Sequence, residues 1–451
     1  MKTVFFPILL LLTTPSWAAE TPVLELRMEQ VQAETLSSSP RLRALKKEAE
    51  ALDRSRQSRL SSSSPKLSLD GNWKYVSEIA SISPGGGAPI QLGDNVNYSV
   101  GPALNWLIWD FRSTRHGWIG AGHALESKQE EIRLTEKQLK LQSRMVYFQI
   151  LMEMERLRSL SDALKLANTQ HSDIELRHKA GTAGRMDLLS AHQEVLTRQR
   201  QFRQAQADLA VTVRELFFLT GRRTDTDASF PMEESLARSL PPGAEPPTLL
   251  LKLDSIDSLM KALSIQWRAA PDPAPPQVRV HSEMARSHES AARSLSSDRW
   301  PKFHLSAKTS LDYPNGPKLE TIHQNTVGIM ASLPLIDGRR IRSDIEVQEA
   351  QSRAAEERGT LGEREFRKAW DQTHDRLAGL SAQKRIDLQS VEETAELARL
   401  TYESYQMGRS NFIEVQNANL RALEARVQSA RTDVQILMQL ATLAHYSGKD
   451  E

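Results

Sequence analysis

The chain has 451 residues, 58 of them basic and 57 acidic, and no cysteine. Without Lys2 the charges balance at 57 of each sign, which leaves no field to attract a nucleic-acid backbone. The lack of thiols excludes a disulfide framework and a lipid anchor on cysteine.

The N-terminus reads as a secretory signal. Lys2 precedes an apolar run from Val4 to Leu12, and Ser16-Trp17-Ala18 places small residues at the two peptidase positions, so residues 1–18 are expected to be removed. No other apolar run approaches the roughly 20 residues of a transmembrane helix. A membrane crossing, if there is one, must therefore use strands. From Leu24 to Leu36 apolar residues recur at helical spacing, and Ser39-Pro40 stops that helix and starts another reaching about Leu60. Pro65 then opens strict alternation, with Leu67, Leu69, Gly71, Trp73 and Tyr75 on one side and Ser68, Asp70, Asn72 and Lys74 on the other. That is a strand over about 65–76 with one apolar face. The loop Ser83-Pro84-Gly85-Gly86-Gly87 lacks the Gly-Lys-Ser/Thr ending of a phosphate cradle and reads as a surface connection. A second strand over about 97–109 carries no charge and has Tyr98 near one end and Trp106 and Trp109 near the other, the layout of a lipid-facing band with aromatic girdles. Pro102 is awkward at its centre because it cannot donate to a ladder.

Helical pattern continues over about 113–178, turns at Gly181-Thr182-Ala183-Gly184, and returns over 186–220 to a C-cap at Gly221. Residues 222–275 hold eight of the 21 prolines and read as a linker with one helix, Leu253–Trp267. The construction then repeats from Pro276, which matches Pro40. Strands are expected at about 302–311 and 325–336, a long helix over 339–407 and a return helix over 411–446. Val100-Gly101, Asp110, Arg112, Gly181 and Ala191 match Val327-Gly328, Asp337, Arg339, Gly408 and Ala418 at one offset, and Asp187 matches Glu414 by charge. The chain is thus an internal duplication: residues 19–221 and 276–451 are two copies of one unit.

Four strands of about ten residues each are long enough to cross a bilayer but too few to close a barrel, so closure must come from several chains. Three copies give twelve strands and a water-filled interior. The expected fold is an α+β membrane protein, a homotrimeric 12-stranded β-barrel continued by a long α-helical barrel. Asp70, Lys74, His304 and Lys308 would face the lumen.

The junctions at 100–112 and 327–339, the turns AGTAGRMDLLSA and MGRSNFIEVQNA, and their order and spacing resemble the TolC-like outer-membrane efflux factors over essentially the whole mature chain. The resemblance implies a conduit in the bacterial outer membrane reaching into the periplasm. It further implies docking, through turns such as Gly181, Gly184 and Gly408, to a periplasmic adaptor protein that works with an inner-membrane transporter. By similarity Glu414 takes the position of a gate carboxylate, Asn417 that of the second, and Tyr405 with Asp187 the pair that ties the hairpins shut. A second tie, arginine to hydroxyl, falls on Ser410 and Met186 and is lost unless Arg409 or Arg185 replaces it. Gly338 fits the junction motif and Phe111 does not.

No nucleophile elbow, paired-carboxylate or HExxH pattern occurs, so neither an enzyme nor a metal or cofactor site is expected. His116 with His123 and His171 with His178 read as surface residues. A periplasmic coiled-coil scaffold without a pore would share the export signal and the helices, but it leaves the matched strand pairs unexplained.

Overall fold

The structure, a computed structural model, describes residues 23–86, 89–222, 229–242, 246–265 and 270–447. The expected signal segment, Gly448 and Trp267 lie outside them. In chain order the elements are β1 (Val23–Leu26), α1 (Met28–Ser38), α2 (Pro40–Ser61), β2 (Lys66–Tyr75), β3 (Ser81–Ile82), β4 (Ile90–Gln91), β5 (Val96–Trp109), α3 (Ser113–Lys179) and α4 (Arg185–Thr220). They continue as β6 (Pro231–Glu233), α5 (Glu234–Ala237), β7 (Leu249–Leu253), α6 (Ile256–Leu263), α7 (Pro276–Ser297), β8 (Lys302–Tyr313), β9 (Ile322–Ser332), α8 (Arg340–Gln406) and α9 (Phe412–Tyr446). The long helices α3 and α8 are each 67 residues and stand 227 positions apart, the offset of the repeat. No described helix is long and apolar enough to cross a membrane.

The chain divides into two units. The strand-bearing unit, Pro40–Gln138 with Ala270–Gln372 and the chain end from Tyr446, contains a four-stranded antiparallel sheet in the order β2-β5-β8-β9. Residues directly paired across antiparallel strands share a face. One face therefore gathers Leu67, Leu69, Trp73, Tyr98, Val100, Leu104, Trp106, Leu305, Val327 and Ile329. The other carries Asp70, Lys74, His304 and Lys308, and Lys308 Nζ donates to Ser99 Oγ at 2.8 Å. The β5–β8 ladder skips Gly101 and Pro102. At Gly101 the strands approach so closely that a Cβ would overlap the Thr309 carbonyl oxygen and lie 2.6 Å from Ser310 Cα. Only glycine fits there, and the interrupted ladder accommodates the proline beside it. The strand expected to reach 336 stops at Ser332 because Pro334 cannot continue it.

Both strand-to-helix junctions are built on an aspartate cap. Asp110 Oδ2 accepts the Thr114 N–H at 2.7 Å and Asp337 Oδ2 accepts the Ile341 N–H at 2.9 Å. Phe111 does occupy the place of Gly338: its φ of 51° matches the 64° of the glycine. Its ring stacks on Trp300 at 5.3 Å and meets Trp109 edge-on at 6.0 Å. Aromatic packing offsets the left-handed backbone that a glycine adopts freely.

The helical unit is Met1–Ser39, Leu139–Ala269 and Thr373–His445. Its core runs along the α3, α4 and α9 faces through Tyr147, Phe148, Leu157, Phe202, Leu209, Val434 and Leu437, all essentially inaccessible. Segments read from sequence as helix and linker are partly sheet: β1, β7 and β6 form a parallel three-stranded sheet in the order β1-β7-β6. The Tyr147 hydroxyl, fully buried, accepts the Asp254 N–H at 2.9 Å and lies 2.9 Å from the Leu26 carbonyl. Burial pushes its pKa up. Asp254 Oδ2 accepts the Met28 N–H at 2.9 Å, so one carboxylate starts α1 where β1 ends.

Candidate functional site: the paired hairpin ends

The two helical hairpins of the helical unit end in turns of the same design. Gly181 (φ 78°) and Gly408 (φ 73°) adopt the left-handed conformation that ends a helix. The Thr182 N–H then returns to the Arg177 carbonyl at 2.9 Å and the Arg409 N–H to the Ser404 carbonyl at 2.9 Å, the doubled-back bonding of a glycine C-cap. Arg177, His178 and Lys179 occupy the last turn of α3, where the helix dipole favours cations. Asn411 starts α9: its Oδ1 accepts the Glu414 N–H at 2.9 Å and its Nδ2 donates to Glu414 Oε1 at 3.1 Å.

Four helices meet just inside these turns. Ile174 of α3, Ala191 of α4, Tyr405 of α8 and Phe412 and Val415 of α9 form one buried cluster. The Tyr405 and Phe412 rings are 5.5 Å apart. Burying a side chain such as Phe412 or Val415 contributes about 1.5–3 kcal/mol, and here that contribution holds the first-repeat hairpin to the second.

Polar bonds cross the same seam. The Tyr405 hydroxyl donates to Asp187 Oδ2 at 3.3 Å, so the structure brings this pair together. A shorter bond lies about one turn away, where the Tyr402 hydroxyl donates to Asp173 Oδ2 at 2.7 Å. Arg177 Nε donates to the same oxygen at 3.1 Å, and its Nη1 reaches the Gln406 carbonyl at 3.3 Å. Gln416 Nε2 donates to the Ser190 carbonyl and Asn419 Nδ2 to Gln170 Oε1, both at 3.1 Å. Burial raises both tyrosine pKa values to about 12, aided at Tyr402 by the bond to Asp173 and at Tyr405 by the charge of Asp187.

The remaining residues singled out from sequence do not join the seam. Ser410 Oγ donates to the Thr401 carbonyl of its own hairpin at 3.3 Å, while Arg185, Met186 and Arg409 are exposed. Arg177, rather than Arg409 or Arg185, supplies a cation that crosses. Glu414 and Asn417, three positions apart on α9, are both exposed. Sequence reading missed Tyr402, Asp173 and Arg177; the usable signal was spacing, since Asp173/Arg177 and Tyr402/Tyr405 are helix-face pairs. Beside the seam a groove of about 660 Å³ opens between α3, α8 and α9, lined by Leu166, Gln170, Arg399, Tyr402, Glu403 and Arg426.

The model of the outer membrane efflux protein family matches residues 31–222 and 275–449, omitting only the stretch around β6, β7 and α6 between the repeats and the two ends of the chain. The chain belongs to this family. Comparison with curated protein sequences gives no match. Among solved structures it is similar to VceC of Vibrio cholerae, at 14% identity over 93% of this chain and 95% of that one, TM-score 0.71. It is also similar to the CmeC outer membrane channel of Campylobacter jejuni (12%, 94% and 87%, TM-score 0.72) and to the open MtrE channel of Neisseria gonorrhoeae (15%, 93% and 88%, TM-score 0.65). The chain is thus an outer membrane efflux protein, and CmeC and MtrE, which share its fold, are outer membrane channels.

Proposed function

We propose that three copies of this chain share their β2 and β9 edges to close a twelve-stranded barrel, and that helices α3, α4, α8 and α9 of the three continue the conduit. The observation that carries this reading is the sheet itself. Its outer strands are uncovered, β2 along its whole length, and Leu67, Leu69, Trp73, Val327 and Ile329 are each 68–76% exposed. An uncovered edge beside an apolar face leaves backbone groups unpaired in lipid, and closure is what satisfies them. Twelve strands leave a wet interior, lined by the face bearing Asp70, Lys74, His304 and Lys308.

The paired hairpin ends are the periplasmic gate. Tyr405 to Asp187 and Tyr402 to Asp173 hold the hairpins of one chain together. Glu414, exposed beside Asn417, supplies one carboxylate per chain to a ring that selects cations. Around the turns of Gly181, Gly184 and Gly408, the apolar residues Leu176, Met186, Leu189, Met407 and Ile413 are 56–76% exposed, which fits docking by a periplasmic adaptor linked to an inner-membrane transporter. Transport is conduction without bond chemistry, so no enzymatic activity or cofactor is assigned.

Two measurements test this. The protein extracted in detergent is expected to run as a heat-modifiable trimer, and recovery as a water-soluble monomer would end the barrel reading. In planar bilayers Glu414→Ala is expected to weaken cation selectivity and block by divalent cations; unchanged selectivity would remove Glu414 from the gate.

A further inference from the structure

In the strand-bearing unit, α3 runs antiparallel to α7, and two serine bonds set their register. Ser287 Oγ donates to the Gly120 carbonyl at 2.8 Å, and Ser127 Oγ donates to the Val280 carbonyl at 2.9 Å. At Gly120 the helices are so close that a Cβ would lie 3.0 Å from the Ser287 carbonyl oxygen. Between these two fixed points His123 and Glu126, one turn apart on α3, face Glu283 of α7. His123 Nδ1 is 2.8 Å from Glu283 Oε2 and 3.5 Å from Glu126 Oε2, and all three ligand atoms lie within 4.8 Å of one another.

We infer that His123, Glu126 and Glu283 form a binding site for a divalent transition-metal cation of the Zn²⁺ or Co²⁺ type, joining the first-repeat helix to the second-repeat helix. Bonds of about 2.0–2.2 Å to imidazole and carboxylate in a tetrahedral shell put neighbouring donor atoms about 3.3–3.5 Å apart. The His123–Glu126 separation already has that value, and the His123–Glu283 separation needs to open by about 0.6 Å as the ion replaces the shared proton. Two carboxylates and a neutral imidazole balance the charge of a divalent ion and leave a fourth position for water. A simple ion pair would use one carboxylate; here a second faces the same ring nitrogen. Glu283 is also oriented from behind, since Arg286 Nη1 donates to its other oxygen, Oε1, at 2.6 Å. Such outer bonds fix a ligating carboxylate. The exposed Arg286 guanidinium opposes the cation but is screened by water. Sequence reading set His123 beside His116; folding instead brings Glu283 to it from 160 residues away.

The assignment is independent of the channel reading and is tested by binding. Full-length protein in detergent is titrated with Zn²⁺ against a chromogenic chelator and with Co²⁺ by visible absorption. The expected result is one ion per chain, with affinity reduced about 100-fold or more in His123→Ala and in Glu283→Gln, and about tenfold in Glu126→Gln, whose side chain is exposed. In the unaltered protein Zn²⁺ is expected to protect one histidine per chain from diethyl pyrocarbonate, a readout that stands even if the His123 variant does not fold. Absence of stoichiometric binding, binding unchanged in Glu283→Gln and Glu126→Gln, or no protected histidine would overturn the site.

Discussion

Replacing Tyr402 by phenylalanine deletes one hydroxyl from the seam between the hairpins and keeps the ring that packs on the buried cluster. A hydrogen bond to a charged acceptor contributes about 1.5–3 kcal/mol. Asp173 keeps its bond from Arg177 at 3.1 Å in the variant, and the seam is only partly buried, so the lower end applies. About 1.4 kcal/mol is a factor of ten in an equilibrium; Tyr402→Phe is therefore expected to raise the open-to-closed ratio about tenfold for each of the three seams of the proposed trimer. The Tyr405 bond is longer, 3.3 Å, and is worth about 0.5–1 kcal/mol, or about threefold. Open probability of single channels in planar bilayers at neutral pH measures both. The reasoning fails if Tyr405→Phe opens the channel more than Tyr402→Phe, or if Tyr402→Phe, folded and trimeric, conducts like the unaltered protein.

Alkaline pH is expected to open the same seam. The two tyrosines have pKa values of about 12 in the folded protein against an ordinary value near 10, so the stabilisation they give is complete below about pH 10 and is lost as pH rises through about 12; open probability should climb across that window and stay flat from pH 8 to 9. Gly101→Ala forces a methyl group into the Thr309 and Ser310 backbone, costs about 3 kcal/mol or more because backbone cannot step aside, and should abolish the proposed heat-modifiable trimer while Gly328→Ala, 3.6 Å from the Ser306 hydroxyl, retains it. Tyr147→Phe leaves the Leu26 carbonyl and the Asp254 N–H short of a partner in the core; a loss of about 2–3 kcal/mol should appear as a lower thermal midpoint with conductance unchanged.

The strands were legible because period-two alternation over ten residues has no helical alternative, and the long helices because no proline interrupts them between the junction aspartates and the turn glycines. What escaped was non-local. VLEL at 23–26 is too short to declare a strand, and its partner, LLLKL at 249–253, sits more than 220 positions away among prolines that read as linker. Phe111 broke a glycine motif on paper, yet two neighbouring aromatic rings hold it in the same left-handed conformation. At the candidate gate, similarity pointed to Tyr405 and Asp187, whereas Tyr402 and Asp173 are joined only by the folded chain, 229 residues apart.

The duplication also explains why the two hairpins cannot be equivalent. At the repeat offset of 227, Asp187 corresponds to Glu414 and Tyr405 to His178. Asp187 accepts a bond from the opposite hairpin, whereas among the described residues the Glu414 side chain bonds to Asn411 at the start of its own helix and stays exposed. Tyr405 reaches across, whereas His178 turns back to the Ala183 carbonyl of its own loop at 2.9 Å. The acceptors of both tyrosine bonds thus lie on the first-repeat hairpin, and the donors, with the exposed carboxylate, lie on the second. In the proposed gate this asymmetry ties the second hairpin from one side only. Freeing it takes the two hydroxyl bonds, the Arg177 contact with Gln406, the bonds of Gln416 to Ser190 and of Asn419 to Gln170, and the packing of Phe412 and Val415 on Ile174 and Ala191; its carboxylate then moves with it, while the first hairpin keeps its own turn intact.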